Sequence, residues 1–222
     1  MDVYEFNTRA YGASRCGRGD PRLAVVLPWI GSGRDVLDLG CLDGTLGEVF
    51  ARQGNRVAGI DASRGAIDKA RQRGLDARLG DLNEPFPFAD ASFDVAFAGE
   101  VIEHVMDVDA FAAETRRVLR PGGAFIVTTP NLAALGRRLM LLANRNPHIE
   151  VSFSEPGAAG HIRYFVSGTL VDFLTRRGFE IRALASDVVN FNARGSARSR
   201  RLARWFPSLG KTLIVHARKP GP

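Results

Sequence analysis

Cysteine and long apolar runs are both scarce in this sequence of 222 residues. Cys16 and Cys41 are the only cysteines, so a structural disulfide is not expected and the composition favours a reducing cytoplasm. No apolar run approaches the roughly 18 residues of a transmembrane helix. The first five residues also lack a basic stretch followed by an apolar one, so we expect neither a membrane span nor secretion.

Lysine is scarce as well, because 27 of the 30 basic residues are arginine. Basic residues outnumber the 24 acidic ones and leave a net charge of +6. This excess is compatible with nucleic acid, an anionic membrane surface or a phosphorylated substrate as a partner. The length and the hydrophobic content of 45% are those of an ordinary globular chain, and they predict one domain over residues 1–222.

The stretch 36–47 combines an apolar run with a glycine turn. The run ends at Leu39 and predicts a buried parallel strand. Gly40 and Gly44 predict a tight turn, and the apolar spacing that follows predicts a helix. In an open α/β sheet, such a strand, turn and helix form a nucleotide crevice beyond the carboxyl ends of the strands. A tight connection that binds nothing is the alternative interpretation.

Acidic residues follow the next predicted strands. Asp61 follows the strand 57–60 and lies 21 residues after Gly40, where a carboxylate accepts hydrogen bonds from the hydroxyls of a ribose. A third strand, 77–79, leads to Asp81, and a fourth, 93–98, leads to Glu100. Four strands with polar residues at their ends make a ligand at this edge of the sheet the favoured interpretation.

These ordered motifs resemble those of the class I S-adenosylmethionine (SAM)-dependent methyltransferases over about residues 36–181. The match is to the branch with Glu-Val-Ile-Glu-His after the fourth strand, here residues 100–104. The resemblance implies SAM as cofactor. It also implies an α/β fold with a doubly wound, mostly parallel seven-stranded Rossmann-like sheet and an antiparallel last strand. Leu42 replaces the usual middle glycine of the first motif, so its side chain must point away from the cofactor or narrow its pocket.

The resemblance also assigns roles to single residues. Asp38 and the glycines of the first turn would hold the methionine end of SAM, which Glu100 would also touch. Asp61 would bind the ribose, and Asp81 with the backbone of Leu82 would clamp the adenine. The implied cofactor-binding residues are Asp38, Gly40, Gly44, Asp61, Ala62, Asp81, Leu82 and Glu100.

Candidate catalytic residues lie between the fourth and fifth strands and in a later segment. With SAM supplying the methyl group, the protein has to hold an acceptor in line and move one proton. His104 is the candidate general base, and Glu103 and His161 are further catalytic candidates. If 100–104 is helical, Glu100, Glu103 and His104 share one face, and with His161 they form a candidate site for a divalent metal. A structural role is the alternative for both histidines.

The same residues resemble two branches of the family with different acceptors. One comprises metal-dependent methyltransferases that modify the 3′-terminal 2′-hydroxyl of small RNAs. The other comprises ubiquinone-pathway and related small-molecule O-methyltransferases, and the compact chain favours it. We therefore predict O-methylation of a small hydroxylated molecule such as a phenol, quinone precursor or sugar. The RNA branch, a nicotinamide-dependent oxidoreductase and a non-catalytic SAM-binding module remain alternatives.

The remaining segments subdivide the predicted domain. We expect a lid and a short helix in 1–30, the SAM-binding half in 34–130, an acceptor lid in 131–166 and the rest of the sheet in 167–218. Within the lid, 131–145 predicts a helix, and a buried core helix is the favoured interpretation. The insert 193–206 carries arginines beside two aromatic residues. A solvated loop is favoured there, and peripheral contact of 194–206 with anionic lipid or nucleic acid is the alternative.

Overall fold

The computed structural model describes residues 20–147, 149, 160–191 and 197–221. The strands are β1 (Asp35–Leu39), β2 (Arg56–Asp61), β3 (Asp76–Leu79), β4 (Phe93–Gly99), β5 (Leu119–Pro130), β6 (Glu180–Ser186), β7 (Val189–Asn190), β8 (Arg198–Ser199) and β9 (Thr212–Arg218). The helices are α1 (Leu23–Ile30), α2 (Thr45–Arg52), α3 (Arg64–Gln72), α4 (Val108–Val118), α5 (Leu135–Leu142), α6 (Ser167–Arg176) and α7 (Arg200–Trp205). Among the described residues, no helix has the length and apolarity to cross a membrane.

Seven of the strands form one sheet in the order β3-β2-β1-β4-β5-β9-β6. β1 pairs in parallel with β2 and β4, and β4 pairs in parallel with β5. β9 lies between β5 and β6 and is antiparallel to both. The predicted seven-stranded sheet with an antiparallel last strand is therefore confirmed. Its parallel half aligns the carboxyl ends of β1 to β5 along one edge, which we name the carboxyl edge.

Helices cover both faces of the sheet. On one face, Phe111 of α4 and Leu170 of α6 belong to the same buried cluster as Phe125 of β5. On the other, Ile30 of α1 and Phe50 of α2 belong to a second cluster that includes residues of β1, β4 and β5. Burial on both faces explains why the parallel strands read as continuous apolar runs.

Local hydrogen bonds define where two of the helices begin. α1 begins at Leu23, and Asp20 accepts a hydrogen bond from the backbone N–H of Arg22 (2.8 Å) without capping the helix. Ser63 caps α3 by accepting a hydrogen bond from the N–H of Ala66 (3.4 Å). The segment 100–104 is a turn and not a helix, so helical periodicity is not what brings its side chains together.

The segment 131–145 differs most from expectation. Its helix, α5, is short, and Gly136 is the only fully buried residue in it. Leu139, Leu141 and Leu142 are exposed, so the favoured interpretation of a core helix is wrong. The insert also contains more structure than a loop, because β8 and α7 lie within it. The predicted lid at 1–19 and most of 148–159 lie outside the described residues.

Candidate active site at the carboxyl edge

The turn between β1 and α2 depends on left-handed backbone. Gly40 and Gly44 have φ values of 73° and 77°, a region that side chains disfavour. A Cβ atom on Gly40 would lie 2.4 Å from Cγ2 of Val101, which follows β4. Leu42 also has a positive φ, 46°, and its N–H donates a hydrogen bond to Asp61 (3.0 Å). The turn therefore forms without the usual glycine at position 42.

Two buried carboxyl groups lie at the ends of β1 and β2. Asp38 is 2% exposed, and its Oδ2 has no hydrogen-bond partner among the described residues. Burial and the neighbouring Asp61 raise the pKa of Asp38 to about 8. Asp61 accepts backbone hydrogen bonds from Leu42 and Ser63, and its oxygens retain further acceptor capacity. A buried carboxyl oxygen without a partner is unusual, and it suits a ligand that carries an ammonium group.

The other cofactor candidates also follow strands at this edge. Ala62 comes directly after β2, and Asp81 and Leu82 come after β3. Asp81 Oδ1 accepts hydrogen bonds from the backbone and side-chain nitrogens of Asn83, at 2.9 and 2.7 Å. Leu82 packs against the buried cluster that contains Phe86.

Glu100 lies directly after β4 in a left-handed conformation, with φ 59°. Its Oε1 is 3.1 Å from Nη1 of Arg22 and accepts a hydrogen bond from Oγ1 of Thr128 (3.0 Å). Arg22 also donates to Thr128 (3.1 Å). Glu100 is thus engaged with the segment that precedes α1. The positive φ of this non-glycine residue is a strained backbone conformation, and such strain is concentrated at functional sites.

Glu103 is the most deeply buried of the catalytic candidates, at 1% exposure. Its Oε2 accepts a hydrogen bond from Oγ1 of Thr129 (2.9 Å), which fixes the side chain. Among the described residues, its Oε1 has no hydrogen-bond partner, and it lies 3.9 Å from Nε2 of His161. Burial and the charge of Glu100 raise the pKa of Glu103 well above its ordinary value. Oε1 of Glu103 therefore lies near the imidazole of His161, but too far from Nε2 for a hydrogen bond.

His104 and His161 lie beside this carboxyl group, with 4.9 Å between their ring centroids. Nδ1 of His104 is 3.1 Å from the carbonyl oxygen of Gly160. A carbonyl oxygen only accepts, so Nδ1 carries the proton and the neutral ring has its lone pair on Nε2. Ligand atoms of Glu103, His104 and His161 all lie within 4.8 Å of one another. This group, the Glu-His-His cluster, has the donor atoms for either proton transfer or a divalent cation.

Sequence reasoning missed two arginines at this edge. Arg22 reaches the ends of β4 and β5, as described above. Arg137 of α5 is half-buried and donates to the carbonyl oxygen of Asn131 (3.1 Å), and burial lowers its pKa. No local signal separates them from the other arginines, because their positions depend on how α1 and α5 pack.

Residues 37–127 match the model of the methyltransferase domain family. The chain is 40% identical over 131 residues to a ubiquinone biosynthesis O-methyltransferase of Mesorhizobium japonicum, covering 56% of this chain and 51% of that protein. The family model assigns residues 37–127 to a methyltransferase domain, and the sheet is that of the SAM-dependent methyltransferase fold. The chain spans about half the length of the curated relatives that it matches.

Solved structures extend the likeness of this methyltransferase chain beyond the matched region. An S-adenosylmethionine-dependent methyltransferase from Mesorhizobium loti superposes with a TM-score of 0.63 at 23% identity, covering 90% of this chain and 98% of that one. The 4+2 cyclase SpnF superposes with a TM-score of 0.65 at 21% identity, covering 95% and 85%. At these identities the likeness establishes the fold alone, and proteins with this fold differ in the reaction they are named for.

Proposed function

We propose that this protein transfers a methyl group from SAM to a hydroxyl oxygen of a small molecule, such as a phenol, quinone precursor or sugar. The observation that carries the proposal is the Glu-His-His cluster at the carboxyl edge, next to the residues proposed to bind SAM. The named activity of the M. japonicum relative supports transfer to oxygen. Family membership supports SAM as the cofactor.

In this proposal the cofactor lies along the ends of the parallel strands. Asp38 accepts a hydrogen bond from the ammonium group of SAM, which satisfies its buried Oδ2. Asp61 accepts from the ribose hydroxyls, and Asp81 with the N–H of Leu82 binds the adenine. The remaining contacts are proposed for Gly40, Gly44, Ala62 and Glu100.

The chemistry divides between cofactor and chain. When bound, SAM supplies an electrophilic methyl group. His104 accepts the proton of the acceptor hydroxyl at Nε2, since its Nδ1 already donates to Gly160. Thr129 holds Glu103 in place, and the positive charge that proton uptake creates on the imidazole favours the ionised form of this buried carboxyl group. His161, whose Nε2 lies 3.9 Å from Oε1 of Glu103, orients the acceptor.

A metal-assisted reaction, as in RNA 3′-end 2′-O-methylation, is the second candidate. The unsatisfied Oε1 of Glu103 beside two imidazoles favours it. Glu103, His104 and His161 would then hold a divalent cation, which lowers the pKa of a bound hydroxyl. Glu100, the fourth predicted ligand, lies outside this group of ligand atoms among the described residues, and its carboxylate pairs with Arg22 at 3.1 Å.

A thermal-shift titration with S-adenosylhomocysteine tests the cofactor, with NADH as the comparison. Saturation at 100 times the dissociation constant adds about 2.7 kcal/mol to the free energy of unfolding, or roughly 5–10 °C for a chain of this size. A shift with NADH alone would refute the proposal. A further shift with Mn²⁺ that is lost in His161→Ala would favour the metal-assisted reaction.

Methyl transfer is then measured with labelled SAM and a panel of catechols, with chelator and with Mn²⁺. We expect His104→Ala to lower kcat by about 10²–10⁴-fold, the range of general-base catalysis, while binding of S-adenosylhomocysteine is retained. The matched control is His216→Gln on β9, whose ring stacks on Trp29 away from the cluster. Binding of S-adenosylhomocysteine without turnover of any acceptor would instead support a non-catalytic SAM-binding module.

A further inference from the structure

Two short helices expose large apolar side chains together with arginine. On α5, Leu141 and Leu142 are exposed by 55% and 85%. They share a helix face with exposed Arg138, which lies three and four residues before them, and exposed Arg145 lies just beyond the end of the helix.

On α7, Trp205 is 78% exposed and lies four residues after Arg201 and directly after Arg204, while Ala203 is fully buried. Each helix thus presents a mixed face of apolar groups and guanidinium groups.

Both helices occupy the same end of the molecule. They each pack against β7, and the exposed Phe191 follows that strand. Asn131, just before α5, donates hydrogen bonds to the carbonyl oxygens of Ser208 and Gly210, just after α7 (2.9 and 2.8 Å). We name the combined surface the α5–α7 face. It consists of Arg138, Leu141, Leu142, Arg145, Phe191, Arg201, Arg204 and Trp205.

The charge of these segments has one sign. Residues 131–149 contain three arginines and no acidic residue, and residues 188–222 contain eight basic residues and no acidic one. A soluble domain usually intersperses both signs. Here the exposed leucines and the tryptophan belong to two segments that contain basic residues and no acidic ones.

We propose that the α5–α7 face docks on the surface of an anionic lipid bilayer. Interfacial helices combine basic residues with exposed Trp, Phe or Leu, and Trp is favoured at the level of the lipid headgroups. A second copy of the chain fits less well, because symmetric pairing would set arginines against arginines. An RNA backbone would pair with the arginines and leave the leucines in water.

The position of the face gives the docking a consequence that rests on the proposed function. α5 follows β5 directly, and Thr129 near the end of β5 holds Glu103. The Glu-His-His cluster is therefore close to the end of the molecule that docks. An acceptor with a polar ring and an apolar tail can then present its hydroxyl while the tail stays in the bilayer.

Vesicle co-sedimentation of the full chain tests the docking. We expect binding to vesicles of phosphatidylcholine with about 30% phosphatidylglycerol, which gives a clearly anionic surface. We expect no binding to vesicles of phosphatidylcholine alone. Each arginine near an anionic surface contributes on the order of fivefold in affinity. The quadruple change Arg138→Gln, Arg145→Gln, Arg201→Gln and Arg204→Gln should thus abolish detectable binding.

The matched control removes four exposed arginines elsewhere, by Arg64→Gln, Arg71→Gln, Arg176→Gln and Arg182→Gln. It changes the net charge equally and should retain binding. Equal loss in both quadruple variants would overturn the proposal, because total charge alone would then explain binding.

The triple change Leu141→Ser, Leu142→Ser and Trp205→Ser should weaken vesicle binding at least tenfold without changing the charge. Unchanged binding in this variant, or a concentration-dependent dimer in sedimentation that the triple change removes, would also overturn the proposal. The shift with S-adenosylhomocysteine is measured on every variant. A folded protein that binds vesicles but not S-adenosylhomocysteine would refute the proposed function, while the proposal that the α5–α7 face docks on a bilayer would be retained.

Discussion

At the scale of single residues, Asp38 carries the most specific consequence. Its pKa of about 8 in the folded chain lies above the ordinary value of 3.8, because the group is buried next to Asp61. The folded state therefore prefers the protonated form. Asp38 lowers the free energy of unfolding progressively as the pH rises from about 4 to about 8. A cationic ligand reverses this cost, because it favours the ionised form.

We predict that S-adenosylhomocysteine binding releases close to one proton near pH 7. The ammonium group lowers the pKa of Asp38 below the ambient pH, so its proton leaves on binding. Calorimetric titration in two buffers of different ionisation enthalpy measures the number of protons released. Asp38→Asn has no proton to lose, and it should bind more weakly without release. The same release in Asp38→Asn would assign the proton to another group.

At the scale of elements, the turn between β1 and α2 combines two separable constraints. Gly40 has a positive φ, and a Cβ atom there would lie 2.4 Å from Val101. Gly54 has a positive φ of 86° with nothing within 4 Å of a Cβ atom. Comparing the two positions isolates steric contact from backbone preference.

We expect Gly54→Ala to cost about 1 kcal/mol of stability, the conformational penalty alone. Gly40→Ala should cost more, about 2–4 kcal/mol, because the segment after β4 must move as well. Chemical denaturation of both variants measures the difference. Gly40→Ala should also weaken the binding of S-adenosylhomocysteine, while Gly54→Ala leaves it unchanged. Equal losses of stability would show that the segment after β4 yields without cost.

The elements also differ in how far sequence could predict them. The first four strands and their polar ends follow from local pattern, because burial on both faces forces apolar runs and turns demand glycine. The exposure of α5 could not be predicted, since a leucine-rich helix has the same composition in a core and at a lipid interface. Arg22 reaches Glu100 only through the packing of α1, which no local pattern encodes. The clustering of Glu103 with His161 likewise arises from chain segments far apart in sequence.

At the scale of the whole molecule, the two edges of the sheet differ in how far their ionisable groups are paired. At the carboxyl edge, the candidate site contains buried carboxyl groups with oxygens that find no hydrogen-bond partner within the described part of the chain. At the amino edge, Asp35 pairs with Arg56 (2.6 Å) and Arg120 (2.9 Å), and Arg120 also pairs with Asp94 (2.7 Å). This network joins the starts of β1, β2, β4 and β5. Polar groups at this edge are satisfied by each other, so we assign them to stability and not to ligand binding.

Asp35→Asn tests this division of the molecule. The side-chain hydrogen bond from Arg56 is the main cause that lowers the pKa of Asp35 to about 2. A lowered carboxyl pKa contributes stability above about pH 4 that is lost as the pH falls toward 2. Because the partners are partly solvent-exposed, we expect a loss of no more than about 1 kcal/mol at pH 7, or roughly 2–4 °C.

The loss in Asp35→Asn should decline as the pH falls toward 2, where the native carboxyl group is half protonated, and vanish below it. Asp172→Asn, in an exposed pair with Arg176 on α6, is the control and should change the melting temperature little. Thermal melts across pH, with and without S-adenosylhomocysteine, make the comparison. If the two edges act independently, Asp35→Asn keeps the full ligand-induced shift. A reduced shift would mean that the amino edge sets the spacing of the strands whose opposite ends hold the cofactor.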